Sequence, residues 1–472
     1  MPRKNKNIEF HKVEITDAGA KGNCVAKAPD GKIIFVSNVV PGDVVDLKIL
    51  KKRKKFYHAN VTNIHEFSDH RIKPSCEYFG SCGGCKWQNM EYSKQLFYKE
   101  KEVQNNLKKI GKIRVNESIP IRGANKIFFY RNKMEFSFSS NRWLSYDEIK
   151  SEQRIKERNA LGFHIPGMWD KILDIKKCWL QEDPSNDIRN KIKAFAIRRN
   201  IPFFDPKKQS GVLRTLMIRI SNIGQIMVVV QFYSASEREI KDILNFIKTS
   251  FPKINSLQYV INSKSNDTIY DQDVICFYGN DYIQEEMEGL KFIINAKSFY
   301  QTNSDQAYEL YKIIRDFANL DGNELVYDLY TGTGTIAQFI AKKAKKVIGI
   351  ESIEDAVVAA KQNALINKIE NIDFFVGDMK RIFNDNFIKN NGTPDVIITD
   401  PPRDGMHKDV VKQILKISPE KIVYVSCNSA TQARDLSVLS SKYEIIKSQA
   451  IDMFPQTHHV ENVVLLNKLK QI

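Results

Sequence analysis

From about residue 325 onwards, the sequence alternates regularly between short apolar runs and segments with helical spacing. The apolar runs are "ELVYDLY", "KKVIGIE", "NIDFFVGD", "PDVIITD" and "KIVYVSC". Strands that alternate with helices in this way predict a parallel, doubly wound sheet with right-handed crossovers. Two later runs, "YEIIKSQAIDMF" and "ENVVLLNKL", would complete the same sheet. We therefore expect an α/β domain over residues 293–472.

Acidic residues close the first four of these runs. Because the carboxyl ends of parallel strands meet at one edge of a sheet, these side chains are expected to border a single ligand crevice. In the turn after the first run, Gly332 and Gly334 allow a ligand to approach the backbone closely. The alternative is that the acids serve only as helix N-caps, a common role of Asp. The four residues are Asp328, Glu351, Asp378 and Asp400.

The chemistry of this crevice favours one class of ligand. The glycine turn contains no basic residue and no Gly-Lys-Ser/Thr sequence, so it lacks the usual means of holding phosphates. Glu351 is placed to accept both hydroxyls of a ribose, and Asp378 to contact an adenine edge. A cationic sulfonium beside Asp328 and Asp400 fits better than a dinucleotide pyrophosphate. The crevice therefore favours S-adenosyl-L-methionine over NAD.

Residues 1–66 have a different pattern. Short strand-like runs are separated by the turn signals Asp30-Gly31 and Pro41-Gly42, which predicts a small OB-like β-barrel, a frequent RNA-binding scaffold. The first 60 residues hold 13 Lys and Arg against 6 Asp and Glu, within a chain of net charge +16. Lys51 to Lys55 form one unbroken basic run. Such a charge suits a nucleic acid, although a basic run can also be an ordinary solvated face.

The middle of the chain, residues 67–292, mixes strand-like and helical runs and predicts an α+β domain, in which a helix at about 91–110 packs on the C-terminal domain. Three of the chain's seven cysteines, Cys76, Cys82 and Cys85, lie within ten residues of this region. Their spacing needs a fourth thiol to close a site, for which Cys178 is the candidate. Four thiolates suit either zinc or a [4Fe–4S] cluster, and the residues by themselves slightly favour zinc.

Cys427 follows a predicted strand in "YVSCN", just before a helical segment. A cysteine at this position is either a small buried hydrophobic residue or a nucleophile.

The chain has no apolar signal segment and no run of about 20 apolar residues, so we expect a cytoplasmic protein without a membrane span.

Five motifs, in this order, resemble those of the RNA uracil-5-methyltransferase family. They are "SFYQTN", "YDLYTGTGTIA", "TDPPRDGM", "YVSCN" and "FPQTHHVENV". The resemblance covers essentially the whole chain, and its N-terminal barrel is similar to the TRAM domain that many members carry. It implies a Rossmann-like methyltransferase domain that methylates C5 of a uridine in RNA.

The resemblance also implies roles for individual residues. Cys427 matches the family's nucleophile, which adds to C6 of uracil, and Glu461 matches the base that removes the C5 proton. Phe299 or Tyr300 is placed to stack on a displaced base. The positions that match the family's cofactor-binding residues are Gln301, Tyr330, Glu351 and Asp400, with Asp378 and Thr335 as lesser members.

Some roles stay open at this stage. Arg403 is placed to hold a phosphate or the uracil carbonyl, or it forms a surface ion pair. His458 and His459 either orient Glu461 or make structural hydrogen bonds. "DPPR" also resembles the D-P-P-[YFW] motif of amino-methyltransferases, but Arg403 stands where an aromatic residue would stack. A non-catalytic RNA-binding protein with a degenerate Rossmann domain is the alternative from another functional class.

The four cysteines resemble the iron–sulfur set of family members that act on 23S ribosomal RNA. The resemblance therefore implies a [4Fe–4S] cluster held by Cys76, Cys82, Cys85 and Cys178, with zinc as the alternative. It also favours ribosomal RNA as substrate over tRNA, because the tRNA-specific members tend to lack both the cluster and the barrel. We expect the chain to act as a monomer.

Overall fold

The structure is a computed structural model that describes residues 8–151 and 157–470. The domain ranges expected from the sequence were 1–66, 67–292 and 293–472. Of these, residues 1–7, 152–156 and 471–472 lie outside the described residues.

The N-terminal region is a closed β-barrel with the strand order β1-β2-β3-β5-β4. Its side chains alternate between the inside and the outside, so that Ile34 and Val36 are buried while Ile33 is exposed. The predicted small barrel is therefore present. Its strands are β1 (Glu9–Ala18), β2 (Cys24–Lys27), β3 (Ile33–Val36), β4 (Val44–Lys52) and β5 (Phe56–Glu66).

A seven-stranded sheet with the order β13-β12-β11-β10-β7-β8-β9 forms the centre of the molecule. Its two long helices, α3 and α4, pack against each other through stacked Phe195 and Phe246 rings 4.1 Å apart. The elements are β7 (Lys133–Ser139), α2 (Tyr146–Lys150), β8 (Ala160–Ile165), β9 (Met168–Asp174), α3 (Ser185–Arg198), β10 (Leu213–Ile220), β11 (Ile226–Phe232), α4 (Glu237–Ser250), β12 (Ser256–Ile261) and β13 (Ile275–Gly279), followed by the hairpin β14 (Tyr282–Met287) and β15 (Leu290–Asn295).

The C-terminal region is an eight-stranded sheet flanked by helices. Five adjacent strands, in the order β18-β17-β16-β19-β20 from one edge of the sheet, are parallel, as the alternating sequence pattern predicts. The elements are α5 (Ser304–Ala318), β16 (Leu325–Leu329), α6 (Thr335–Ala341), β17 (Lys346–Glu351), α7 (Glu354–Ile366), β18 (Ile372–Val376), α8 (Met379–Ile382), α9 (Asp385–Asn391), β19 (Val396–Thr399), α10 (Lys408–Ile417), β20 (Lys421–Ser426), α11 (Ser429–Leu439), β21 (Tyr443–Ile451) and β22 (Glu461–Lys468).

Two N-terminal elements complete this C-terminal region. Strand β6 (Glu117–Arg122) pairs in parallel with β21 and forms the edge of the sheet, although the sequence division placed residues 117–122 in the central domain. Helix α1 (Tyr92–Lys109) packs against α11. The buried face of α1 is formed by Gln95, Lys99, Val103 and Leu107.

Among the residues that the structure describes, no helix combines the length and the apolar character that crossing a bilayer requires.

Candidate active site

Cys427 and Glu461 meet at the open end of two neighbouring strands. β20 ends at Ser426, which pairs in antiparallel register with Asn462 near the start of β22. Positions 427 and 461 therefore lie opposite each other, one residue beyond this pair. The amide of Gln432 fixes the junction, since its Nε2 donates to the carbonyls of Tyr424 and Asn462 at 2.9 and 3.1 Å.

The environment of Cys427 holds its proton strongly. Burial raises the pKa of the thiol to about 11, and the carboxylates of Glu461 and Asp400 add to this effect. The Arg403 guanidinium acts in the opposite direction, because its positive charge favours the thiolate and lowers the pKa of the thiol. Arg403 and Cys427 line one cavity, which favours a role of Arg403 at the site over a surface ion pair.

The loop that carries Arg403 is tied to the helix after Cys427. The main-chain carbonyl of Arg403 accepts hydrogen bonds from Asn428 Nδ2 at 2.9 Å and from Thr431 Oγ1 at 3.1 Å. Farther along the loop, the amide of Met406 donates to Asp435 at 2.8 Å. Asp435 is a buried residue that the sequence analysis missed, since nothing in the local pattern distinguishes it from a surface acid. Together these bonds hold the main chain of Arg403 in place beside the start of α11.

Two buried carboxyl groups lie near the thiol. Burial raises the pKa of Glu461 well above its ordinary value, and the nearby Asp400 raises it further. Burial also raises the pKa of Asp400, to about 7. Both groups therefore bind a proton more readily than an exposed carboxylate does.

Asp328 is a buried acid near the end of β16. Its Oδ2 accepts a hydrogen bond from the Thr331 hydroxyl, whereas its Oδ1 is buried and finds no partner among the described residues. Burial raises its pKa to about 7, and Asp400 and Glu351 contribute to this increase. The unpartnered oxygen is available to a hydrogen-bond donor or a cation in the crevice.

Glu351 is fixed by the backbone around it. Its Oε2 accepts from the amide of Gly332 at 3.1 Å, and its Oε1 accepts from the amides of Ser352 and Ile353 at 2.7 and 3.0 Å. These bonds cross from β17 to the glycine turn after β16. The carboxylate therefore has a defined orientation at the shared edge of the two strands.

The remaining predicted cofactor residues differ in their environments. Tyr330 is half-buried and has the left-handed φ of 64°, an uncommon conformation for an aromatic residue. Asp378 is exposed and caps α8 by accepting from the amide of Lys380, as the helix-cap alternative expects. The hydroxyl of buried Thr335 is hydrogen-bonded to Tyr311 at 2.8 Å. Gln301 lies before α5, where Asn132 Nδ2 donates to its carbonyl at 2.9 Å.

The two aromatic candidates for base stacking differ clearly in their exposure to solvent. Tyr300 is 4% exposed and belongs to the core between the hairpin and the C-terminal sheet. Phe299 is 69% exposed, an unusual position for a phenylalanine. Only Phe299 is free to contact a base from solution.

A cavity of about 440 Å³ lies over Cys427, between the C-terminal sheet, α1 and the barrel. The barrel contributes Asp17 and Val25 to its wall, and α1 contributes Lys101, whose Nζ forms an ion pair with Asp17 at 2.8 Å. His458 and His459 also line this cavity, with their rings 4.2 Å apart.

The two histidines are neutral at physiological pH. Burial lowers the pKa of each ring to about 4, and the neighbouring cationic groups reinforce the effect. In the barrel, Gly22 packs so closely on His458 that an added Cβ would lie 3.2 Å from its Nδ1. The main-chain carbonyl of Gly22 also accepts from Trp87 Nε1 at 3.3 Å. The barrel is therefore in direct contact with the loop that precedes Glu461.

The four predicted ligand cysteines line one cavity of about 410 Å³ beside the central sheet. Burial raises the pKa of each of them, to about 11 for Cys82 and about 12 for Cys85. Within residues 8–151 and 157–470, no three His, Cys, Asp or Glu side chains are close enough together to hold one metal ion. The thiols Cys76, Cys82, Cys85 and Cys178 therefore surround a shared space without converging on one point.

The loop that leads to Glu461 is held by a buried ion pair and by hydrogen bonds from residues next to the cysteines. Lys99 on α1 and Asp452 after β21 have fully buried side chains, and Nζ lies 2.5 Å from Oδ1. In the same loop, the carbonyl of Gln456 accepts from the amides of Lys86 and Trp87 at 2.8 and 3.1 Å. The loop that leads to Glu461 is thus held by residues next to the cysteines.

Comparison with known proteins shows relatives that extend over nearly the whole chain. An uncharacterized RNA methyltransferase of Bacteroides thetaiotaomicron is 54% identical over 95% of this chain and 99% of its own length. Another, of Porphyromonas gingivalis, is 50% identical over 96% of this chain and 99% of its own length. The solved structure of Pyrococcus abyssi tRNA (uracil-54, C5)-methyltransferase, in complex with S-adenosyl-L-homocysteine, is 28% identical with a TM-score of 0.76, and covers 96% of this chain and 100% of that one.

Two family models match separate parts of the chain. Residues 9–62, which form most of the barrel, match the TRAM domain. Residues 225–469 match the tRNA (uracil-5-)-methyltransferase model, which includes the strands that carry Cys427 and Glu461. The chain therefore belongs to the tRNA (uracil-5-)-methyltransferase family, a family of RNA-methylating enzymes, and carries a TRAM domain at its N-terminal end.

Proposed function

We propose that this protein transfers a methyl group from S-adenosyl-L-methionine to C5 of a specific uridine in RNA. The observation that carries the proposal is the placement of Cys427 opposite Glu461, beside a crevice bordered by acidic strand ends. A nucleophile and a proton acceptor on adjacent strands can act on the two neighbouring ring carbons of one pyrimidine.

The uracil ring explains why both residues are needed. C5 of uracil is too weak a nucleophile to take a methyl group unaided, so the Cys427 thiolate adds to C6 and makes C5 enolate-like. When bound, S-adenosyl-L-methionine supplies an electrophilic methyl group, which C5 attacks. Glu461 then removes the proton from C5, the C6–S bond breaks, and the thiolate leaves with the electron pair of that bond.

The surroundings of both groups support these roles. The pKa of Cys427 near 11 means that little thiolate exists at neutral pH, so Arg403 has a specific task in stabilising it. Burial of Glu461 raises its affinity for a proton, as the removal of a carbon-bound proton requires. Phe299, exposed beside the cofactor residues, is placed to fill the space that a displaced base leaves in its stack.

The acidic crevice suits the proposed methyl donor. The free Oδ1 of Asp328 offers a contact to a cationic group, and the fixed carboxylate of Glu351 suits the two hydroxyls of a ribose. Thr335 already bonds Tyr311, so we assign it the support of the helix start rather than a direct contact. We propose that Gln301, Tyr330, Glu351, Asp400 and Asp378 contact the cofactor, and that Thr335 supports the site from the start of α6.

We further propose that Cys76, Cys82, Cys85 and Cys178 hold a [4Fe–4S] cluster rather than zinc. The four thiols line one cavity of about 410 Å³ together with other residues, which supports a shared site. The amide of Gly84 already points to Cys82 Sγ at 3.5 Å, the type of contact that stabilises cluster sulfurs. Anaerobically purified protein should be brown and contain iron and sulfide in equal amounts; colourless protein with one zinc per chain would overturn the cluster.

We propose ribosomal RNA as the substrate, on the basis of the cysteine set that resembles enzymes of 23S ribosomal RNA. The Pyrococcus abyssi relative acts on tRNA, which makes tRNA the second candidate. We also propose that the protein acts as a monomer. Mapping 5-methyluridine in both RNA classes, from cells with and without the gene, decides between the two substrates.

The central experiment combines the purified protein, labelled S-adenosyl-L-methionine and RNA from cells that lack the gene. The expected product is 5-methyluridine, detected by nucleoside mass spectrometry. Cys427→Ala should abolish both the product and any covalent complex with RNA, whereas Cys276→Ala, an exposed cysteine of the central sheet, should retain full activity. An active Cys427→Ala protein would refute the mechanism.

A further inference from the structure

One row of side chains runs around the outside of the barrel, starting at the cavity over Cys427. The row follows the pairings Asp17–Val25, Val25–Phe35, Phe35–His58 and His58–Lys51, across five strands. Residues that are directly opposite each other in a sheet point to the same face. The inward positions next to them, such as Ile34 and Tyr57, are buried, so this row faces outward.

An aromatic cluster lies in the middle of this row. Phe35, Phe56 and His58 contact one another with ring centroids 5.4 to 5.6 Å apart. All three are half-buried, and they lie on the outer face of the barrel rather than in its core. Aromatic side chains on an outer barrel face are the surfaces on which OB-type proteins stack unpaired bases.

Positive charge lies directly beside the cluster. Lys51 is opposite His58 in register, and the turn of Lys51 to Lys55 is fully exposed. In the part of the chain that the structure describes, none of these five side chains lies within ion-pair distance of a carboxylate. A basic turn without acidic neighbours keeps its charge available for a polyanion.

The aromatic cluster is continuous with the catalytic cavity. Asp17 and Val25, at the start of the row, line the same cavity as Cys427. Neighbouring strands lie about 4.8 Å apart, so His58 is roughly 10 Å from Val25 along the barrel surface. An RNA strand whose target uridine occupies the cavity can therefore place a nearby nucleotide on the aromatic cluster.

We propose that Phe35, Phe56 and His58 form a stacking site for an unpaired base of the RNA substrate, close in sequence to the target uridine, and that Lys51 to Lys55 bind the adjoining phosphates. This inference rests on the proposed function, because it takes RNA as the substrate. It makes the barrel part of substrate recognition at the catalytic cavity and predicts a preference for single-stranded RNA over a duplex.

The test measures binding of a fluorescently labelled oligouridylate of roughly ten nucleotides and of a duplex RNA of similar length. Phe35→Ala combined with Phe56→Ala should weaken binding of the single strand about tenfold and have a smaller effect on the duplex. Tyrosine at both positions should preserve binding, because a phenol ring also stacks. Phe67→Ala, an exposed aromatic away from the row, is the matched control and should bind as the unmodified protein does.

The charged part of the site has its own variant. Lys51→Gln combined with Lys54→Gln changes only exposed side chains, so the barrel should keep its fold, which circular dichroism can check. Affinity should fall, and the dependence of affinity on salt between roughly 50 and roughly 200 mM should become shallower. A 2-aminopurine base in the oligonucleotide should be quenched on binding, and alanine at both phenylalanine positions should remove the quenching.

Equal binding by the alanine double variant and the unmodified protein would overturn the stacking site, as would failure of the unmodified protein to bind the single strand. 5-Methyluridine formation is measured in parallel on full-length RNA. If the unmodified protein methylates RNA but the alanine double variant binds the single strand equally well, the proposed function stands and the stacking site is refuted. If the double variant binds the single strand more weakly but the unmodified protein forms no 5-methyluridine, the proposed function is refuted and the stacking site is supported.

Discussion

Cys427 and Glu461 lie opposite each other at the ends of β20 and β22, one position beyond the Ser426–Asn462 pair. The sheet itself thus sets their relative position. For a reaction that needs a nucleophile at one ring carbon and a base at its neighbour, this arrangement fixes both groups before the substrate arrives.

Replacement of Glu461 by Gln should stop the reaction after methyl transfer. The amide cannot remove the C5 proton, so the thiolate cannot leave and the RNA remains attached to Cys427. A denaturing gel with labelled RNA should show a stable protein–RNA adduct that contains the transferred methyl group. Glu370→Gln, at an exposed position outside the site, should release its product normally. A Glu461→Gln protein that turns over at the normal rate would exclude this base.

Replacement of Arg403 by Gln should change the pH dependence of adduct formation. Arg403 lowers the pKa of the Cys427 thiol, which burial holds near 11, so its removal raises that pKa further. The thiolate fraction then decreases about tenfold for each unit of increase. The single-turnover rates of both proteins should therefore rise with pH, and the fold loss caused by Arg403→Gln should stay constant at lower pH and shrink only as the pH approaches about 11, whereas Arg403→Lys should lose less activity. A fold loss that does not shrink as the pH approaches that value would contradict a role in stabilising the thiolate.

Replacement of Asp452 by Asn should destabilise the protein strongly. It leaves the fully buried Lys99 ammonium without its partner carboxylate, which typically costs about 3–5 kcal/mol. Denaturant unfolding at pH 7 measures this difference. The matched control is Lys101→Met, which breaks the partly exposed pair with Asp17 and should cost about 1 kcal/mol or less. Similar losses of unfolding free energy in the two variants would show that the buried pair stabilises the protein no more than the partly exposed pair does.

Glu285 predicts a pH-dependent component of stability. Burial raises its pKa from the ordinary 4.5 to about 7, so between these values the folded protein binds a proton that the unfolded chain releases. Stability from this group is therefore complete below about pH 4.5 and is lost as the pH rises to about 7. Glu285→Gln, a neutral mimic, should gain stability relative to the unmodified protein over that range. A difference in the free energy of unfolding between the two proteins that stays constant from pH 4 to pH 8 would refute this role of Glu285.

Local sequence patterns predicted those parts of the fold that depend on local periodicity and strand ends. The parallel strand order, the small barrel and the position of Cys427 after a strand are of this kind. The motifs also identified Glu461, whose antiparallel partner lies more than thirty residues earlier in the chain. Asp435 and Asn132 were missed, because a polar residue is recognised as buried only once its distant partners are known.

Helix α1 shows why the remaining contacts were not predictable. At its C-terminal end the apolar Ile110 is 48% exposed, whereas the polar Gln95 and Lys99 are buried. A lysine on the interior face contradicts any pattern based on hydrophobicity. Its burial is explained only by Asp452, 353 positions later in the chain.

The edge strand β6 has a consequence for synthesis of the chain. Gln449 on β21 donates to the carbonyl of Pro120 on β6 across 329 positions. At about 5–20 residues per second, a ribosome needs roughly 16 to 66 s to synthesise the intervening chain. Over that time β6 has no partner strand, and Pro120 lacks the N–H that would template pairing with another chain. Pro120 thus makes the unpaired edge of β6 a poorer template for another chain until β21 emerges.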